Sequence, residues 1–337
     1  MRRRRFLIAV VIHAVFVYIY RKYQKYPKLQ NIGAELENEV ISIDENGQLI
    51  NEQHNTNTHN LPGQNSTQFL FKDLPAPGKH VKHLPTINAV ALVRISDDDD
   101  HGWTKHDLSQ WLDYMEFAGT GTVYLYDNYH SPSESLEDWC KVYYPDFVTY
   151  HNWNETISEN VGGTQITAYR NAVKHYKATS DWQISIDMNE FPIAPNDRDS
   201  NFLRRTLLAL YNIYPRAGEF SIHGVSFTGR ARIGQNHIMT KYVRRDPYAS
   251  IDDVKPIYRP RKVLFKAVHV DKMKMTNEIY DIPAEVLRLN RYKGNKFPDW
   301  SKSWDEIENR TTEDVTAQRI IHKLEEFKNR EEAKDQL

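Results

Sequence analysis

From residue 89 onward, short apolar runs alternate with longer segments of helical periodicity. Residues 89–95 (AVALVRI) are a continuous apolar run, the pattern of a strand buried on both faces. Thr104 then caps a helical pattern, with Asp107 three residues on and Leu108, Trp111, Leu112 and Met115 sharing one face. Gly119 and Gly121 end it. Residues 122–126 (TVYLY) read as a second strand ending in Asp127-Asn128, 131–142 as a helix and 146–150 as a third strand. A helix over 165–176 follows, then a fourth strand over Trp182–Asp187 (WQISID). A helix over 202–211, strands over 219–227 and 262–269, and a charged helix over 311–332 complete the pattern. Strands alternating with helices predict parallel βαβ units, and so an α/β sheet in a single domain over 86–337.

The chain before residue 86 has a different texture. Arg2 to Arg5 precede an apolar run from Phe6 to Tyr20, which Arg21 and Lys22 close. As a helix this run is about 22 Å long, short of the roughly 30 Å hydrocarbon core. Interfacial tyrosines at 18, 20 and 23 and a thin early-secretory membrane reduce the mismatch. A cleaved signal peptide is the alternative, since the length suits its apolar region, but no small-x-small cleavage site follows. An interfacial or mitochondrial segment is a third reading. The expectation is a cytoplasmic tail and signal-anchor helix over 1–28, with the body translocated to a lumen. Residues 29–85 are rich in Asn, Gln, His and acids, and Asn51–Ser66 cannot bury much surface, so 29–85 reads as a flexible stem. Sequons at Asn65, Asn154 and Asn309 are weak support for a lumenal body.

Charge sharpens this division. The net charge of -1 conceals eight basic residues and no acid in 1–28, which leaves the rest of the chain at -9. Basic charge is therefore not concentrated in the body, which argues against a nucleic-acid-binding face. One cysteine, Cys140, excludes an intrachain disulfide framework and a multi-cysteine zinc site, and it reads as a buried thiol.

In open α/β sheets, ligands bind outside the carboxyl ends of the strands. That rule selects Arg94, Asp127 and the Asp187-Met188-Asn189-Glu190 cluster. Residues at i and i+2 of a strand end point the same way, which aligns Asp187 with Asn189. Two oxygen side chains so placed could grip a hard divalent cation that also holds phosphates; the alternative is that they merely end a strand and start a turn. No glycine-rich phosphate loop, P-loop lysine or G-x-S-x-G elbow occurs.

The order of these segments resembles glycosyltransferase family 92 and its GT-A relatives over about residues 88–300. The resemblance rests on Arg94 after the first strand, Trp111-Leu112-Asp113-Tyr114 with Gly119, Val123 to Asn128, Gln165 with Ala168-Tyr169, Trp182 with Ile186 to Phe191, and Lys255 to Pro260 followed by Val268-His269. Asn290-Arg291-Tyr292 falls where the family has His-Tyr. The resemblance implies a GT-A, Rossmann-like domain behind its anchor and stem, in a Golgi type II membrane protein with a lumenal body. It implies transfer of a sugar, commonly galactose, from a UDP-sugar to a glycan or glycoprotein acceptor, with inversion and a manganese (or magnesium) ion. It places Asp187, Asn189 and His269 at the metal, and Arg94, Asp127, Gln165, Tyr169, Asp187, Arg259 and Arg291 around the nucleotide sugar. Lys255 reads either as solvated surface or as a diphosphate contact. The base that takes the acceptor's proton is unassigned, with Asp299 as a weak candidate and Glu190 too close to the metal.

Four positions depart from the family pattern. Asn189 stands where the second metal-motif aspartate would be, and Arg291 where a late histidine would be. Gln110 replaces a glutamate and Met115 a histidine. An arginine cannot ligate a metal, though it can pair with a diphosphate. The departures allow two readings: a divergent transferase, or a catalytically silent GT-A-like domain that binds glycans or partner transferases.

Overall fold

The computed structural model describes residues 42–43, 49–50, 84–95, 103–154, 161–250, 253–268, 273–275, 277–292, 306 and 309–335. The anchor and most of the stem, with Asn65, His269 and Asp299, lie outside the described residues. Among the described residues, no helix is long and apolar enough to cross a membrane. The chain divides into two compact units, Met1–Thr56 and Asn57–Leu337. In the first, β1 (Ser42–Ile43) pairs with β2 (Leu49–Ile50) in antiparallel fashion.

The second unit is built on an 11-stranded mixed sheet. In chain order its elements are β3 (Ile87–Val93), α1 (Lys105–Ala118), β4 (Thr122–Asp127), α2 (Glu137–Tyr143), β5 (Val148–Asn152), α3 (Val161–Tyr176), β6 (Trp182–Ser185), β7 (Glu190–Ile193) and α4 (Phe202–Ile213). There follow β8 (Ala217–Thr228), α5 (Ile238–Lys241), β9 (Arg244–Arg245), β10 (Val254–Tyr258), β11 (Val263–Val268), β12 (Met273–Met275), β13 (Glu278–Ile282), β14 (Arg288–Tyr292), β15 (Thr312–Glu313) and α6 (Thr316–Asp335). β11 and β12 form a separate two-stranded sheet.

Strands β6, β3, β4 and β5 lie side by side and parallel, as the βαβ pattern predicts. Beyond β6 the sheet changes character. β10 runs antiparallel to both β6 and β8, and β14 pairs antiparallel with β7 and parallel with β8. The expectation of parallel units thus holds for the first half of the domain and gives way to a mixed sheet in the second.

Two layers cover the sheet. On one face Val90, Tyr124, Tyr126 and Tyr258 pack against Ala168, Tyr169, Ala172 and Val173 of α3. On the other, Ala89, Ala91, Leu125 and Ile184 meet the apolar sides of α1 and α4. The α1 cap is the one read from sequence: the Thr104 side chain accepts from the Asp107 N–H, and the Asp107 carboxylate accepts from the Thr104 N–H. Gly119 closes the helix at φ +104°, where a Cβ would stand 2.9 Å from the Cα of Asn201. The helix expected over 131–142 is a 3₁₀ turn, Pro132–Glu134, followed by the shorter α2. Pro132 suits the start of such a turn, and the chain leaves helical geometry at Ser135 (φ -56°, ψ 135°) before α2 begins.

Candidate functional site

Strand β6 is buried along its whole length and delivers the chain to the carboxyl edge of the parallel strands. It ends at Ser185, and Asp187 to Glu190 form a turn in which the Glu190 N–H donates to the Asp187 carbonyl (3.0 Å). The alignment of 187 and 189 expected from an extended strand is therefore corrected: a turn, not a strand, carries them. The Glu190 carboxylate folds back to accept from the Asp187 N–H (2.9 Å). Fixing the turn from the other side, the Trp111 indole donates to the Glu190 carbonyl (3.0 Å) and the Tyr114 hydroxyl to the Pro192 carbonyl.

Around this turn the sheet register gathers five charges. Arg291 of β14 lies opposite Glu190 of β7, and directly opposed residues share a face. Its Nε donates to Glu190 Oε1 (2.9 Å), and its Nη2 pairs with the same oxygen. Its Nη1 pairs with Asp253 Oδ2 (2.6 Å). Lys255 arrives on β10, and its Nζ stands 3.2 Å from Asp187 Oδ2 and 3.3 Å from Glu190 Oε2. Gln165 of α3 donates to Asp187 Oδ1. Three carboxylates against two cations leave the cluster at -1.

Burial makes this arrangement strong. Glu190 is fully buried and Lys255 is 2% exposed, whereas the side chains of Asp187 and Arg291 remain 35% and 25% exposed. Burial, then the nearby Asp187 charge, raises the Glu190 carboxyl above its ordinary value, while Lys255 and Arg291 pull it down. Burial pushes Lys255 down, but Glu190 and Asp187 outweigh it and hold the ammonium above its usual value. The two halves of this network depend on each other, since a buried charge without its partner is costly.

Of the residues singled out from sequence, the fold gathers Asp187, Gln165 and Arg291 in one cluster, with Asn189 in its turn. Tyr169 is buried beside it, close enough for Asp187 and Glu190 to raise its hydroxyl, though burial contributes more. Gln165, on the same helix, lies close enough to lower it slightly.

Three residues are placed otherwise. Asp127 is fully buried on the sheet face opposite α3, and its Oδ2 accepts from the Leu136 N–H (2.8 Å) and the Tyr150 hydroxyl (3.0 Å). It anchors the entry to α2, with its carboxylate buried away from solvent. Arg259 follows the far end of β10, level with Trp182 at the amino end of β6, because β10 runs antiparallel to β6. Four to five residues of strand put it about 15 Å from the Asp187 turn. It stacks on Trp182 and Tyr211, 5.8 and 5.0 Å from their ring centres, so the structure places it in packing, apart from the cluster at the Asp187 turn. Arg94 lies at the carboxyl edge, exposed, with its guanidinium held by the Asn128 carbonyl (2.8 Å) and side chain.

Lys255 is the reverse case. The solvated-surface alternative fails, because the side chain is buried between two carboxylates. A lysine inside the apolar strand VKPIY was the available signal. Asp253 and the structural role of Glu190 had no signal in sequence, because both depend on pairing with Arg291, 38 and 101 residues away.

The divalent cation implied by the resemblance does not fit the described residues. Asp187 has one oxygen occupied by Gln165 and the other by Lys255. Asn189 offers only a neutral amide, and among the described residues no group of three or more His, Cys, Asp and Glu is arranged to hold a metal. An ion bound at ~2.1 Å from Asp187 Oδ2 would lie within roughly 5 Å of the Lys255 ammonium.

The fold and site thus define an α/β protein with a charged cluster at the carboxyl edge of its parallel strands. The family model of glycosyltransferase family 92 matches residues 101–330, more than half of the chain. The chain belongs to glycosyltransferase family 92 and is a glycosyltransferase. No curated protein matches it. Among solved structures it is similar to HddC from Yersinia pseudotuberculosis, at 14% identity and a TM-score of 0.33 over 58% of this chain and 89% of that one. It is also similar to 4-diphosphocytidyl-2C-methyl-D-erythritol synthase from Anaerococcus prevotii, at 11% identity and a TM-score of 0.32 over 68% and 97%.

Proposed function

We propose that this transferase moves a hexose, galactose being the family expectation, from a UDP-sugar to a hydroxyl of a glycan or glycoprotein acceptor. The reading adopts a GT-A domain over 86–337, held by the stem over 29–85 and the anchor over 1–28 in the Golgi membrane, with the body lumenal. One observation carries it: the Asp187 turn stands at the carboxyl edge of four parallel strands, where open α/β sheets bind their ligands.

In the proposed reaction the bond from the sugar's anomeric carbon to the diphosphate oxygen breaks, and its electron pair leaves with UDP. The acceptor oxygen attacks from the opposite face, which inverts the centre, and its proton passes to a carboxylate on the acceptor side. Glu190 is unsuited to that task, being buried with both oxygens engaged. Asp299 lies outside the described residues. Asp187, the most exposed carboxylate of the turn, would orient the donor. Nothing in the described cluster selects one sugar over another.

The test is turnover of a panel of UDP-sugars by the purified full chain, with Asp187→Ala beside it. The reading expects UDP release from at least one donor and its loss in the variant. No turnover of any UDP-sugar, or full turnover in Asp187→Ala, would contradict it.

A further inference from the structure

We infer that this transferase binds its donor diphosphate without a divalent cation, using Lys255 and Arg291 as built-in positive charge. The inference rests on the UDP-sugar reading above.

The two cations divide the task by their exposure. Lys255 is buried behind Asp187 and already neutralises the carboxylate that a metal would otherwise have to meet. Arg291 is partly exposed. A guanidinium has five N–H donors in a planar fork, and three of those of Arg291 are spent on Glu190 and Asp253. Among the described residues two have no partner, on a side chain that is 25% exposed, so a phosphate can be met by a cation whose position two carboxylates already fix. A charge pre-positioned in this way needs no reorganisation when the ligand arrives.

The charge balance points the same way. The cluster carries -1 as it stands. With aspartate at 189 and a neutral histidine at 291, the pattern from which this chain departs, the same cluster would carry -3. Asn189 and Arg291 each raise it by one. Together they supply the charge of one divalent ion, and they do so at two of the positions where this chain departs from the family pattern.

The experiment is calorimetric titration of UDP into the full chain in EDTA and in manganese. The inference expects the two dissociation constants to agree within about threefold. A loss of more than threefold in EDTA overturns it while leaving the UDP-sugar reading intact. No UDP binding in either buffer overturns that reading and the inference with it. A second arm uses the doubly substituted Asn189→Asp/Arg291→His protein, checked for folding by its melting curve. It is expected to bind UDP at least tenfold more weakly in EDTA than in manganese. A folded double variant that binds UDP in EDTA as the native protein does would also overturn the inference. Should it fail to fold, the native protein's two titrations decide.

Discussion

Replacing Asp127 with asparagine isolates the cost of one buried charge. The carboxyl is fully buried, and burial pushes it from 3.8 to about 6, against the hydrogen bonds from the Leu136 N–H and the Tyr150 hydroxyl. Its other oxygen has no hydrogen-bond partner among the described residues. Below the unfolded value both states carry the proton, and the folded chain bears no penalty. Between the two values the unfolded chain ionises while the folded one keeps its proton, so stability falls as pH rises. Above the folded value the loss is complete. A shift of about two pH units at ~1.4 kcal/mol per unit gives roughly 3 kcal/mol. Asparagine keeps an acceptor for Leu136 and Tyr150 and cannot ionise. Urea unfolding of both proteins between pH 4 and 7.5 measures the difference. The stability of Asp127→Asn relative to the native chain should rise by roughly 2.5 kcal/mol across that range, the first few tenths of the total falling below pH 4. Parallel pH profiles would show that Asp127 ionises without penalty, and the burial argument would be wrong.

Three further predictions concern the frame around the site. Gly119→Ala should lower unfolding free energy by roughly 1–3 kcal/mol, because φ is +104° and the new Cβ meets the Asn201 backbone at 2.9 Å; an unchanged urea midpoint would refute it. Thr104→Ala removes the capping box of α1 and should cost about 1 kcal/mol in the same assay. Arg259→Ala should lower the melting temperature by a few degrees through loss of its stacking on Trp182 and Tyr211, yet leave UDP affinity within twofold. A tenfold weaker affinity would return Arg259 to the donor site.

Local features of the fold were legible in the sequence, and long-range pairings were not. The α1 cap, the apolar runs of β3, β4 and β6, and the glycine that stops α1 depend on neighbours within a few residues, so periodicity and capping chemistry reveal them. Asp127 shows the limit. Its place at the end of β4 is legible, but which face its side chain takes depends on the pleat. That choice turned an expected ligand contact into a helix anchor. The antiparallel course of β10 likewise separates two residues of one motif, sending Lys255 to the Asp187 turn and Arg259 to the opposite edge. No local signal announces that reversal. From sequence, Asn189 reads as a weakened metal ligand and Arg291 as a cation that can pair with a diphosphate, with nothing local to place the two together. The register of β14 on β7 brings Arg291 to the same turn, where its charge can replace what was lost.

A structure of the full chain with UDP bound would test the account most directly. The account places the diphosphate at the Asp187 turn, with a phosphate oxygen within hydrogen-bonding distance of Arg291. UDP seated elsewhere, with Asp187 and Arg291 left facing solvent, would contradict it.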